Sequence, residues 1–269
     1  MKVFLSADME GTCGIVSWPE TERATPFDYA PMQKQMTREV AAACRGAFSA
    51  GADEVVVKDA HDTARNLDPA GLPRGIKIIR SWSGDLLSMM SGLDQDKYDA
   101  VFFTGYHAWA SCPGNPLSHT MNLRNDHVTL NGVLCSEFLI NAYTAGWCGV
   151  PVALVTGDKA LCEFAKTLIP AITTVPVNEG RGGCTLSIHP DEAVERIEAA
   201  AKEAAAKADQ CQVPMPDHFH MEIDFVKHSM AYSKSFYPGA TLKEGKYVCY
   251  DTDDWYEMLR FCHFVLSDG

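Results

Sequence analysis

The sequence predicts an α/β fold, a three-layer sandwich around a mainly parallel sheet, with a smaller α+β subdomain at the C-terminal end. Three observations carry this expectation. Short apolar, β-rich runs alternate with segments whose apolar residues recur at helical spacing, as in βαβ units. Three of the runs, at residues 3–5, 55–57 and 101–103, stop and hand over to an acid or an imidazole. The last third changes character, with chain-breaking prolines, an Ala- and Glu-rich helix and one alternating strand.

Taken in order, residues 3–5 form the first strand, and an irregular stretch follows through Pro19, Pro26 and Pro31. Residues 32–48 read as a helix with Met36, Val40, Ala43 and Ala47 on one face, closed by Gly51. A strand leads to Asp59, residues 75–80 give another, and 85–90 a short helix. Residues 100–104 form the strand that ends in Gly105-Tyr106-His107. A helix spans 136–145, residues 151–156 form one more buried strand, and Leu161, Phe164, Ala165 and Leu168 stripe the helix after it. Pro190 opens a helix to about Lys207, Pro214 and Pro216 break the chain, and residues 219–225 alternate like a half-exposed strand. Trp255, Met258, Leu259 and Cys262 mark a terminal helix. The expected division is 1–180 for the catalytic α/β domain and 181–269 for the smaller subdomain.

Composition narrows the function classes. At 269 residues and 46% hydrophobic content the chain can build a substantial core. A net charge of −12, with 23 Lys and Arg against 35 Asp and Glu and no basic run, removes the phosphate-neutralising surface that nucleic acid needs. No apolar stretch reaches the length of a membrane span, and no signal peptide opens the chain, so a cytoplasmic protein is expected. The ten cysteines are scattered through apolar segments without CxxC spacing and read as reduced, buried packing residues, Cys13 included. Gly180-Arg-Gly-Gly183 lacks the spacing of a phosphate cradle and reads as a loop. Asp251-Thr-Asp-Asp254 reads as an N-cap ahead of the last helix.

Chemistry concentrates where the strands end. Asp8 and Glu10, Asp59, His107 and Glu137 fall where a parallel sheet delivers its ligands, outside the carboxyl ends of the strands. Four carboxylates crowded together would repel, and a divalent cation resolves the conflict. Carboxylates mixed with an imidazole suit zinc, manganese or iron, and zinc leads on availability. The set exceeds the needs of one tetrahedral ion, so two zinc ions per subunit sharing a carboxylate are expected. Each acid alone is equally explained as a helix cap or a strand end, as Glu137 is at the start of its helix. His61, two positions beyond Asp59, is expected to orient that carboxylate rather than to bind metal. His119 lies twelve positions beyond His107 across a Pro- and Gly-bearing loop, and is the candidate for proton transfer. His218 and His220 share a strand face and imitate a metal pair, without acids in a matching frame.

The segments SADMEG, KDAH, GYHAWAS, SHT and NGVLCSEFLINAY, in this order and continuing into PVALVTGD, resemble the D-aminopeptidase family of dinuclear zinc metallopeptidases. The resemblance places the zinc ligands on Asp8, Glu10, Asp59, His107 and Glu137 and the catalytic histidine on His119. The loop between the two histidines, with Asn115-Pro116, is one residue longer than the family pattern. The resemblance implies metal-assisted release of N-terminal D-residues, D-alanine typically, from short peptides. It further implies a decamer of two stacked pentameric rings around an inner chamber. The same ligands also suit a dinuclear phosphoesterase, or a metal-dependent scaffold without turnover.

Overall fold

The computed structural model describes residues 1–267. Seven strands form the main sheet: β1 (Lys2–Ala7), β2 (Glu54–Asp59), β3 (Ile76–Ile79), β4 (Ala100–Tyr106), and, after β5 (Asn125–Leu130) and β6 (Val133–Leu134), β7 (Val152–Asp158), β8 (Thr173–Arg181) and β9 (Cys184–Ser187). Their order is β3-β2-β1-β4-β7-β8-β9, parallel except for the β8–β9 hairpin. β4 and β7 are buried along their whole length, as strands covered on both faces must be. The helices α1 (Pro26–Ser49), α2 (Glu137–Trp147), α3 (Lys159–Leu168) and α4 (Pro190–Ala206) supply the outer layers. α1 packs against α4, while α2 meets α3 through Phe138 and Phe164. This is the expected sandwich.

The strand order decides where ligands can bind. From β1 the chain moves outward to β2 and β3, then returns to β4 on the other side of β1 and proceeds to β7 and β8. Between β1 and β4 the direction of winding reverses, and the crevice beyond their carboxyl ends is the natural binding place of an open α/β sheet. A cavity of about 580 Å³ opens there.

A second, antiparallel sheet has the order β11-β12-β10-β5-β6, in which β10 is Phe219–Phe225, β11 Thr241–Lys243 and β12 Tyr247–Thr252. The short helix α5 (His228–Lys234) and α6 (Trp255–Phe261) accompany it, and α6 runs into a π-helical turn, Cys262–Leu266. Trp255 ties this sheet to the sandwich, packing on Phe219 and Tyr143 and donating its indole N–H to Thr144. The boundary expected at residue 180 falls inside the β8–β9 hairpin, and the smaller sheet takes β5 and β6 from residues 125–134. The reason is pairing: β10 needs a neighbour on each side, and β5 lies along one of them.

Other differences are local. α1 begins at Pro26, earlier than its apolar stripe, because a helix-opening proline needs no N–H and Tyr29 buries itself against Asn66 with a 2.9 Å hydrogen bond. Residues 85–90 hold only a 3₁₀ turn at Ser88–Met90, in which the Asp85 carboxylate accepts from Leu87 and Ser88 N–H groups. The Gly180–Gly183 stretch is the hairpin turn joining β8 to β9.

Candidate metal centre

Backbone geometry at the end of β1 sets the centre. Asp8 N–H donates to the Thr104 carbonyl, and Gly11 N–H to that of Gly105, so the segment from 8 to 11 is stitched onto β4. A Cβ on Gly11 would lie 1.9 Å from the Tyr106 carbonyl oxygen, and one on Gly105, which has φ +68°, would lie 2.2 Å from that of Asp8. Only glycine fits this approach. Asp8 and Glu10 are thereby held over the last turn of β4, where His107 emerges.

Five side chains converge, all buried. His61 Nδ1 lies 3.4 Å from Asp8 Oδ1 and 3.1 Å from Glu10 Oε2. His107 Nε2 lies 3.5 Å from Asp8 Oδ2 and 3.7 Å from Glu137 Oε2. Asp8, Glu10 and His61 form one group able to hold an ion and Asp8, His107 and Glu137 another, so Asp8 is common to these two; Glu10, His107 and His119 form a third. Glu137 stands in the first turn of α2, which Ser136 caps by accepting from Leu139 N–H. His119 joins from the loop after β4: its Nε2 is 3.4 Å from Glu137 Oε1, and its ring stacks on His107 at 4.3 Å and meets the edge of Trp18.

Hydrogen bonds prepare each imidazole for one role. His61 Nε2 is bonded to the Thr21 carbonyl, His107 Nδ1 to that of Ala108 and His119 Nδ1 to that of Leu117. A carbonyl only accepts, so in each ring this nitrogen carries the proton and the other faces the centre with its lone pair. Asp8 Oδ2, Glu10 Oε2 and His107 Nε2 are buried there without a hydrogen-bond partner. Unpaired buried acceptors are expensive, and a cation is the group that satisfies all three.

The electrostatics make the same demand. Burial, and then the Glu10 charge, push the Asp8 carboxyl up to about 8. Burial opposes ionisation of Glu10, but the facing His61 outweighs it and holds Glu10 well below the carboxylate range. The two ligand-like imidazoles are raised against the opposing effect of burial, His61 mainly by Glu10 and His107 mainly by Glu137. His119 goes the other way: burial and the neighbouring His107 lower it and keep it neutral. Three buried carboxylates thus draw positive charge from whatever can supply it.

Asp59 does not join this set. Its carboxylate accepts from Asn66 N at 2.5 Å, Leu67 N at 2.7 Å and Asn66 Nδ2 at 3.0 Å, and it belongs to none of the ion-holding groups. Asn66 Nδ2 also donates to the His61 carbonyl, so Asp59 fixes the turn that carries His61 inward. The structure thus brings His61, rather than Asp59, against Asp8 and Glu10. The ladder continues one residue beyond β2, Ala60 N–H donating to Ala7, and the turn after it delivers the second residue past the strand rather than the last one within it.

Two positioning residues carried no sequence signal beyond a cap and a loop. Asp158, at the end of β7, caps α3 through Leu161 N–H and accepts from Ala108 N–H and Asn115, securing the loop behind His107. Asn115 also donates to the Glu10 carbonyl, so the longer loop is tied to the centre. Cys13 stays in packing, its thiol on the Ile188 carbonyl. His218 is exposed and His220 half-buried; they pair with Asp251 of the neighbouring strand, with Asp253 just beyond it and with Glu222, outside the ion-holding groups found among the described residues.

A cavity lined by carboxylates and aligned imidazoles at the switch point of an α/β sheet is the build of a metal-dependent hydrolase. The chain belongs to the D-aminopeptidase family, peptidase M55, whose family model matches residues 1–264. It is 32% identical over 249 residues to a D-aminopeptidase of Bacillus subtilis (strain 168), covering 91% of this chain and 89% of that one. Its fold matches the solved structure of the Zn-dependent D-aminopeptidase DppA from Bacillus subtilis, described as a self-compartmentalizing protease, with a TM-score of 0.89 and 29% identity over 99% of this chain and 98% of the other.

Proposed function

We propose that this protein is a zinc-dependent aminopeptidase that releases N-terminal D-amino acids, D-alanine among them, from short peptides. The observation that carries the reading is the sharing of Asp8 between two ion-holding groups, with unpaired buried acceptors facing one cavity, in a chain of the D-aminopeptidase family. Asp8, Glu10 and His61 would hold one zinc ion and Asp8, His107 and Glu137 the other, a donor set that suits zinc. Bound there, zinc supplies Lewis acidity toward the scissile carbonyl and a nucleophile at neutral pH.

The chain's own groups do the rest. His119 keeps Nε2 free of a proton, because its N–H is committed to Leu117 and burial keeps the ring neutral. It takes the proton released on attack and passes it to the leaving amine. Stacking on His107 and contact with Trp18 hold the ring at that angle. Trp18, Met89 and Met121 wall the cavity and limit the water around the reacting bond. A phosphoester is a poor occupant, since among the described residues no Lys or Arg lines the cavity to meet its oxygens.

The same reading includes a closed homo-oligomer, two stacked pentameric rings, in the cytoplasm. Phe27, Tyr232, Phe236 and Phe264 stand more than half exposed on the single chain, as residues awaiting a partner surface do. All ten cysteines are free, as a reducing compartment keeps them, and no helix among the described residues is long and apolar enough to cross a membrane. The test is paired hydrolysis of D-Ala-D-Ala and L-Ala-L-Ala by the zinc-loaded protein, beside light scattering. Cleavage of the D-peptide only, by a ring-sized particle, is expected; preference for the L-peptide would discard the assignment.

A further inference from the structure

The outer half of the cavity has a composition that the hydrolytic reaction does not require. Beyond the ion-holding groups its wall carries two indoles, Trp18 and Trp82, and two exposed carboxylates, Glu22 and Asp62. Neither carboxylate is ion-paired among the described residues. Arg23 and Arg80 both donate to the Arg65 carbonyl, and neither lines the cavity. The one other group there able to carry positive charge is His263. Asp85, also at the mouth, is used up in its own turn, accepting from Leu87 and Ser88 N–H groups and the Ser83 and Ser91 hydroxyls.

Backbone strain marks the same place. Asp62, immediately after His61, sits at φ +43°, and Ala64 at +51°, left-handed conformations that a non-glycine residue adopts only when its surroundings hold it. What holds it is Trp82, whose indole N–H donates to the Asp62 carbonyl at 2.7 Å. Trp82 is positioned in turn by Lys58, whose ammonium lies 4.3 Å from the ring centre and donates to the Asp59 and Ser81 carbonyls. A buried lysine, an indole and a strained acid thus form one clamp at the rim.

One side of the Trp82 ring is taken by Lys58, but among the described residues no Lys or Arg lines the cavity itself, and carboxylates that share a cavity wall with indoles and lack a basic neighbour there are the chemistry that recognises an ammonium or guanidinium group. Resting on the aminopeptidase reading, we infer that this rim is a subsite for a cationic residue immediately downstream of the scissile bond. The N-terminal residue of a substrate lies deep, beside the buried carboxylates, whereas the departing peptide must leave through the mouth, where Glu22 and Asp62 are exposed. The subsite therefore favours peptides whose second residue is basic and disfavours those whose second residue is acidic.

The experiment compares kcat/KM of the zinc-loaded protein for D-Ala-D-Lys, D-Ala-D-Ala and D-Ala-D-Glu, all as C-terminal amides so that only the second side chain differs in charge. Exposed ion pairs are individually weak, so the expected preference for Lys over Glu is about tenfold, shrinking at high salt. In Glu22→Gln combined with Asp62→Asn the ratio should approach unity, and asparagine tolerates the left-handed backbone at 62. The ratio is read rather than the absolute rate, so a general loss of activity in the variant does not blur the result. Equal cleavage, a preference for Glu, or a ratio unchanged in the double variant would overturn the proposal. Calorimetric binding of the same peptides with a reduced, uncleavable bond separates the two readings. Lys-selective binding without turnover of any peptide would keep the cationic subsite and remove the aminopeptidase, whereas turnover without charge selectivity would do the reverse.

Discussion

The placing of His61, rather than Asp59, against Asp8 and Glu10 yields a sharp prediction, because two neighbouring substitutions should fail in opposite ways. His61→Ala removes the sole imidazole of the group formed with Asp8 and Glu10, leaving two carboxylates to hold that ion. The second group, Asp8, His107 and Glu137, is untouched, so metal content should fall from about two ions per chain to about one, with activity reduced at least 100-fold. Asp59→Asn should leave both ions in place. Its cost is local: the carboxylate accepts three N–H groups, and an amide offers one oxygen while turning its own donors toward them. At least one buried N–H then goes unpaired and the others lose their charge assistance, about 3 kcal/mol in all. For a chain of this size that lowers Tm by roughly 5–10 °C. Elemental analysis after gel filtration, beside thermal unfolding, reads both effects. Loss of an ion from Asp59→Asn together with full metal content in His61→Ala would refute the argument and return Asp59 to the ligand set.

Further outcomes follow from the same geometry. Chelation should abolish hydrolysis and lower stability, since an ion bound only by the folded chain at about 1,000 times its Kd contributes about 4 kcal/mol, and zinc should restore both; a thermal scan unmoved by chelator and zinc would count against a folded-state ion. His119→Ala should keep both ions yet lower kcat by about 10²–10⁴-fold, and near wild-type kcat would remove it from proton transfer. Glu39, away from the centre, is buried in α1 with one oxygen accepting from Cys13 N–H and Gln35 and the other unpaired, and burial pushes its carboxyl up to about 7 from an ordinary 4.5. An acid whose folded value is raised binds its proton more tightly when folded, so stability falls as pH rises from about 4.5 through 7, by about 3 kcal/mol. Glu39→Gln should flatten that part of a pH–stability curve measured by denaturant unfolding, and an unchanged slope would place the dependence elsewhere.

The sequence by itself determined the large periodic elements and the ends of the central strands. The apolar runs at β1, β2, β4 and β7 and the stripes of α3 and α4 are legible because burial on a regular element leaves a repeating pattern. Asp8, Glu10 and His107 stand out because a parallel sheet delivers the residues after its strands to one crevice, whereas Glu137 comes in from the first turn of α2. What the sequence could not carry is what depends on partners distant in the chain. β5, β6, β11 and β12 are short, and pairing makes them strands: β5 and β12 flank β10, while β6 and β11 extend the sheet from β5 and β12. Two of the acids that meet His218 and His220, Asp251 on β12 and Asp253 just after it, lie some thirty residues away, where no local frame relates them. Asp59 and His61 are two apart, and spacing alone does not say which turns inward. That was decided by Asn66 and Leu67, whose N–H groups claim the Asp59 carboxylate, and by the Thr21 carbonyl, which orients His61 toward Asp8 and Glu10. Hydrogen-bond partners recruited from separate loops settle which of two capable side chains reaches the centre, and only the folded chain brings those partners together.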